Sequence, residues 1–334
     1  MAMRIALDAM GGDKAPVAIV DGGIEAAMEA AGRFTLVLVG RQDELRRYIS
    51  ESGLSTGNIE IVDAPEVIGM SESPATAIRR KRDSSIAIAT RLHKEGSVDA
   101  VVSAGNTGAA VASSLLSLGR ITGIDRPAIA ICYPSRNGGT IVLDGGANSD
   151  NVPRHLEQFA YMGVAYAELI LGRKDPKVGL LNIGEEPSKG SELTREAHEL
   201  LASSGLNFTG NVEGRDVIAG TVDVVVTDGF TGNVLLKFTE SIVHFLGSLL
   251  KEGIEKRAMA KIGAGLMKPV FRDVGRTLDY AEYGGMPLLG IDGVTIIGHG
   301  GSSAKAIKNA VLAAESFVKL GVNRSIKDRI EEKH

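Results

Sequence analysis

Three side chains in this sequence are suited to steering an oxygen anion: Lys189, Asn148 and Asn233. Each stands in a polar, glycine-bearing stretch after a run that reads as a strand. Lys189 closes Asn182-Ile183-Gly184-Glu185-Glu186-Pro187-Ser188-Lys189, Asn148 closes Asp144-Gly145-Gly146-Ala147-Asn148, and Asn233 closes Thr227-Asp228-Gly229-Phe230-Thr231-Gly232-Asn233. A lysine there places a point charge over the crevice beyond the strand ends. An asparagine amide there donates to a carbonyl oxygen. Plainer roles stand beside these: a loop lysine stays solvated, and an asparagine caps the helix that follows. Ser103-Ala104-Gly105-Asn106-Thr107-Gly108 offers a second chemistry. Gly105 and Gly108 let backbone N–H groups approach a phosphate, and the helix start adds positive potential. The plainer role is a helix capped by Asn106 or Thr107. His299, in Gly298-His299-Gly300-Gly301, either donates to an oxyanion or holds its loop.

Other chemistries are excluded. There is no Walker A pattern, and no Gly-x-Gly-x-x-Gly follows the first strand with an acid downstream. No His, Cys, Asp and Glu cluster has metal-ligand spacing. No metal or cofactor is therefore expected. The single cysteine, Cys132, lies inside the strand-like run Ala128 to Tyr133 and reads as a core residue. One cysteine also rules out an intrachain disulfide and fits a reducing cytoplasm. A formal charge of −4 argues against nucleic-acid binding. No signal peptide and no bilayer-spanning run are visible.

The elements that must position these side chains alternate between strand and helix across 334 residues. That rhythm predicts βαβ units: one α/β domain over residues 1–334, with a largely parallel sheet in a three-layer α/β/α, Rossmann-like arrangement. Ligands of such sheets bind beyond the carboxyl ends of the strands, where the polar loops stand. The rhythm breaks after Asn233. Val234, Phe238, Ile242, Phe245 and Leu249 mark one face of a long helix starting at Val234. It is expected to run through Met259 to Gly263, before a second helix holding Val270 and Phe271. This excursion, residues 234–280, reads as a protruding pair for dimerisation and membrane contact.

Taken together, Asp8-Ala9-Met10-Gly11-Gly12-Asp13, the three strand-end loops, the Ser103 to Gly108 loop and Tyr283-Gly284-Gly285 occur in an order that resembles the bacterial PlsX family, phosphate acyltransferases of phospholipid synthesis. The resemblance covers nearly the whole chain. Two departures are visible: the family usually has Val where Gly145 stands, and a serine followed by an acid or amide where this chain has Gly301-Ser302-Ser303-Ala304. The resemblance implies transfer of a long-chain acyl group from acyl carrier protein to inorganic phosphate. It also implies a fold similar to phosphotransacetylases and the isocitrate dehydrogenase group. The acyl phosphate would pass to a membrane glycerol-3-phosphate acyltransferase, and the enzyme would be cytoplasmic, resting on the inner face of the membrane.

That reaction needs little acid or base. Phosphate is a dianion near neutrality, its second pKa being ~6 to 7, and a thiol of pKa ~8.5 leaves readily. Positioning two anionic reactants and stabilising an oxyanion remain. Direct attack without an acyl-enzyme is expected. Lys189 would neutralise charge, Asn233 and Asn148 orient the carbonyl, and Gly105, Asn106, Thr107 and Gly108 hold phosphate with His299 nearby. Asp228 would orient Lys189 or Asn233. Arg79, Arg80, Lys81 and Arg82, with Lys256 and Arg257, are expected docking residues for an acidic carrier protein; the alternative for each is a solvated face. The competing functions are a phosphotransacetylase acting on acyl-CoA, a dinucleotide-dependent dehydrogenase, and a non-catalytic membrane scaffold.

Overall fold

A computed structural model describes residues 2–52, 58–278, 282 and 284–333. Tyr283 and the last two residues of the 234–280 excursion lie outside them. The amino-terminal part supplies β1 (Met3–Asp8), α1 (Val17–Ala30), β2 (Phe34–Gly40), α2 (Gln42–Ser52), β3 (Ile59–Asp63), α3 (Pro74–Arg80), α4 (Ser85–Lys94), β4 (Ala100–Ser103) and α5 (Thr107–Ser117). The middle supplies β5 (Ala128–Ile129), β6 (Ile131–Tyr133), β7 (Thr140–Leu143), α6 (Pro153–Leu169), β8 (Val178–Leu181), α7 (Glu192–Ala202), β9 (Phe208–Val212), α8 (Gly214–Ala219) and β10 (Val224–Val226). Three helices follow: α9 (Gly229–Glu255), α10 (Ala258–Leu266) and α11 (Lys268–Leu278). The chain ends with β11 (Met286–Leu289), β12 (Thr295–Ile297), α12 (Ala304–Leu320) and α13 (Val322–Lys333).

The strands form two ladders, β3-β2-β1-β4-β12-β11-β5 and β6-β7-β10-β8-β9. The run expected as one strand from Ala128 to Tyr133 is split at Ala130, whose N–H leaves the second ladder for Pro287 O at 3.0 Å. β5 thus pairs with β11 and β6 with β7. Period-two alternation carries two cores across this split. Ile5, Leu7, Ala128, Ala130, Ile141, Leu143, Val224 and Val226 belong to one buried layer with α1, α6 and α12. Ala6, Ile129, Ile131, Val142 and Val225 belong to the other, with α4, α5 and α8. The result is the expected three-layer α/β/α arrangement, in which side-chain alternation decides which layer each residue enters.

Strand sense is less uniform than expected. β11 is antiparallel to both β12 and β5, and β6 is antiparallel to β7. Along the ladder, the parallel set β7, β10, β8, β9 therefore runs opposite to the parallel set β3, β2, β1, β4, β12. β11 escapes sequence reading because Pro287 looks like a strand breaker. Its carbonyl nonetheless accepts from Ala130, and Pro287 pairs with Ile296.

The excursion is built of three helices. The chain breaks between α9 and α10 at Lys256 and Arg257, where Arg257 turns extended. Along α9 only Gly229 and Gly232 are buried, and no residue of α10 or α11 is buried. No helix among the described residues is long and apolar enough to cross a membrane.

Candidate active site

The polar loops fall into two groups, one beyond each parallel set. The first group joins the loops after β1, β4 and β12. Gly298 N–H reaches Ser103 O at 2.8 Å, and Asp13 N–H reaches Gly300 O at 2.8 Å. Gly12 sits at φ +115° where a Cβ would stand 3.1 Å from both Ala104 O and Gly300 O. Only glycine combines that backbone with that approach. The loop that carries His299 is thereby tied to the loop that carries Gly105. His299 Nδ1 accepts from Gly301 N–H at 3.1 Å.

The α5 loop is more committed than its sequence suggests. Gly105 N–H is spent on Ser103 Oγ at 3.1 Å. Asn106 caps Ala109 through Oδ1 at 3.0 Å, and its amide hydrogens go to Met70 O and Glu72 O, both at 3.0 Å. Thr107 and Gly108 open the helix, so their N–H groups have no intrahelical acceptor. These two residues, with the exposed Thr107 hydroxyl, hold the unspent donors of the loop.

The second group joins the loops after β7, β10 and β8, three neighbouring parallel strands. Its centre is Asp144, which is fully buried. Oδ1 accepts from Ile129, Gly146 and Ala147 N–H, each at 3.0 Å. Oδ2 accepts from Asn148 N–H at 2.9 Å and Asn148 Nδ2 at 2.8 Å. Burial pushes this carboxyl upward, and the surrounding donors pull against it. The first turn of α9 lies over Asp144: a Cβ at Gly232 would overlap its carbonyl oxygen, and one at Gly229 would overlap Asn148 O.

This geometry revises three expectations. Asn148 has spent both amide hydrogens, on Asp144 and on Pro127 O at 2.7 Å, so it braces the loop. Asp228 caps α9 through Thr231 N–H at 2.9 Å and Thr231 Oγ1 at 2.7 Å, with no bond to Lys189 or Asn233. The helix expected to start at Val234 begins at Gly229, so Gly229 to Asn233 belong to its start. The N–H groups of Gly229, Thr231 and Gly232 are already taken.

Asn233 lies against Gly146, where a Cβ would stand 3.1 Å from its own Cβ. The Asn233 amide makes no hydrogen bond among the described residues. Lys189 is exposed, its stem running past Gly184 and its ammonium unpaired among the described residues. Asn182 holds that loop by donating to Lys189 O at 3.0 Å. No hydrogen bond among the described residues joins this group to the first.

The basic residues separate as well. Lys81 is tied to Glu72 Oε1 at 2.6 Å and Val67 O at 2.7 Å, so it braces the loop before α3 instead of facing a partner. Arg79, Arg80 and Arg82 are exposed and unpaired among the described residues. Lys256 pairs with Glu252 one turn back, while Arg257 is exposed. Cys132 is inert, as expected: burial pushes its thiol up to about 12.

Sequence reading missed Asp8, Ser103, Asp144 and Asn151. Asn151 Oδ1 accepts from Gly229 N–H at 3.3 Å, and its buried Nδ2 has no partner among the described residues. The available signal was positional: Asp144 stands at a strand end directly before paired glycines, and Asp8 stands at another, three residues before a glycine pair, where a buried acceptor can collect loop N–H groups.

Comparison with known proteins fits this architecture. A family model described as "Fatty acid synthesis protein" matches residues 3–325. The chain is 53% identical over 332 residues to the phosphate acyltransferase of Heliobacterium modesticaldum, covering 99% of this chain and 98% of the relative. It is 50% identical over 331 residues to that of Desulfitobacterium hafniense (strain DSM 10664 / DCB-2), covering 98% of each. Its fold is similar to a phosphotransacetylase from Streptococcus pyogenes (TM-score 0.60, 18% identity, 98% and 94% of the two chains covered). It is also similar to the EutD phosphotransacetylase from Staphylococcus aureus (TM-score 0.59, 16% identity, 94% of each covered). Full-length identity at this level, over a fold shared with phosphotransacetylases, places the chain in the phosphate acyltransferase family, enzymes of acyl transfer to phosphate.

Proposed function

We propose that this enzyme moves a long-chain acyl group from acyl carrier protein to inorganic phosphate, giving an acyl phosphate for phospholipid synthesis. One observation carries the reading: in the second loop group Lys189 and Asn233 keep their side-chain donors unspent, while Asp144 and Asp228 are spent on protein donors and Glu185 is paired with Arg215, which leaves Glu186 as an exposed acid of the Lys189 loop. A site for two anionic reactants needs such unspent donors. A phosphate oxygen attacks the thioester carbonyl carbon, the C–S bond breaks, and the carrier leaves as a thiolate that takes a proton from solvent. Asn233 donates to the carbonyl oxygen as it becomes an oxyanion. Lys189 offsets the charge shared by oxyanion and phosphate. Thr107 and Gly108, in the loop group that also carries His299, hold the phosphate, and the reading requires that group to be brought against Asn233 and Lys189. No acyl-enzyme forms.

Acyl carrier protein is favoured over acyl-CoA by the exposed, unpaired Arg79, Arg80 and Arg82, a face suited to an acidic protein. Acyl phosphate should form faster from long-chain acyl carrier protein than from the matching acyl-CoA. Neutralising the three arginines should remove that preference and its salt dependence. Equal rates with both carriers would turn the reading into a phosphotransacetylase.

Assembly belongs to the same proposal. α9, α10 and α11 expose Phe238, Phe245, Leu249, Met259, Leu266 and Phe271. An apolar surface of that kind is matched by a second copy of the chain along α9. Lys268, Arg272 and Arg276 on α11 suit an anionic membrane surface at the tip, near a membrane glycerol-3-phosphate acyltransferase that would take the product. Sedimentation should give a dimer, and flotation with anionic vesicles should carry the protein up; a monomer that stays below the vesicles would refute both.

A further inference from the structure

We propose that Asp8 and Ser103 are positioning residues for phosphate, acting through Gly105 on the start of α5. This rests on the reading of Thr107 and Gly108 as phosphate donors. Ser103 Oγ donates to Asp8 Oδ2 at 2.7 Å and accepts from Gly105 N–H at 3.1 Å. Asp8 and Ser103 are both buried, at 2% and 1% exposure. The direction of the relay is fixed, because Gly105 N–H can only donate and the hydroxyl has a single proton. Gly105 therefore turns its N–H into the protein. The next residues, Asn106 and Thr107, leave the relay at a set angle.

The same carboxylate fixes a neighbouring loop. A Cβ at Gly11 would stand 2.9 Å from Asp8 Cγ and 2.9 Å from Gly105 N. The β1 loop therefore lies directly over the relay as bare backbone. That loop in turn binds the β12 loop, through Asp13 N–H to Gly300 O and Lys14 Nζ to Gly301 O at 2.9 Å. A single buried acceptor thus sets the relative position of three strand-end loops. Its second oxygen, Oδ1, makes no close hydrogen bond among the described residues, though Ser85 and the N–H groups of Met10 and Gly11 stand near enough to favour the carboxylate. The relay itself uses only Oδ2. An amide oxygen can replace it; a methyl group cannot.

The test uses the full-length chain with phosphate and acyl donor varied separately. In Ser103→Ala and Asp8→Ala the KM for phosphate should rise about tenfold, the worth of one well-placed hydrogen bond, with far smaller changes in kcat and in the KM for acyl donor. Ser103→Thr and Asp8→Asn should recover most of that loss. Calorimetric titration of inorganic phosphate into each folded variant reads the same effect without turnover. The proposal is overturned if Ser103→Ala binds phosphate as the parent does, if kcat and both KM values move together, or if Asp8→Asn is as damaging as Asp8→Ala. A parent enzyme that binds phosphate at α5 yet makes no acyl phosphate would sink the functional reading and leave the relay standing. A parent that binds no phosphate would overturn both.

Discussion

Asp8 and Asp144 occupy matching places in the two loop groups: each is buried, each stands at a strand end, and each lies under glycine backbone. They differ in how they are held. Among the described residues, Asp144 receives five close N–H hydrogen bonds, while Asp8 receives one close hydrogen bond, from the Ser103 hydroxyl, with Ser85 and the Met10 and Gly11 N–H groups nearby. Burial pushes both carboxyls upward against their donors, and Asp144 has the larger set of close donors to oppose it. One aspartate is therefore the keystone of its loops through five close hydrogen bonds, and the other aligns its loops chiefly through one acceptor oxygen.

Replacing each with asparagine separates these roles. Asp144→Asn puts an amide donor against existing donors, whichever way it turns, and should cost roughly 3–5 kcal/mol in denaturant unfolding, or prevent folding. A loss below about 1 kcal/mol would erase the distinction. The unspent donors above Asp144 come next. Asn233→Ala and Lys189→Ala should each lower kcat by about 10²–10³-fold with unfolding midpoints kept, and parent-like turnover would remove them from the site. Gly232→Ala, whose Cβ would overlap the Asp144 carbonyl, should cost about 1–3 kcal/mol through overpacking.

The smallest effect sharpens the contrast. The raised folded pKa of Asp8 means that its stability contribution is full below the unfolded carboxylate value of ~3.9 and is lost as pH rises through the folded value. Asp8→Asn should therefore be about 1 kcal/mol more stable than the parent at neutral pH, an advantage that vanishes toward pH ~4. Thermal melts at a series of pH values check this. A parent that gains stability over Asp8→Asn as pH rises would contradict it.

Most of the fold was legible because buried strands carry continuous β-branched runs and their helices start at Pro or cap residues. Val224 to Val226, Thr140 to Leu143 and Ala304 to Leu320 have the bounds their sequences suggest. Strand sense was not legible. It depends on β11, disguised by Pro287, and on Ala130, a residue with no local signal for a switch between ladders. Within the site, the sequence shows which residues can donate but not which have already done so. Asn148, Asn106 and Lys81 are spent on neighbours distant in sequence, at Pro127, Met70 and Val67. Asn233 and Lys189 keep donors that no periodicity could have distinguished from theirs.

Direct attack by phosphate is tested most simply with one preparation and two incubations. Enzyme held with long-chain acyl carrier protein alone should keep its intact mass, and acyl phosphate should appear only when inorganic phosphate is added. An acyl adduct on the protein before phosphate addition, or no acyl phosphate after it, would contradict the account.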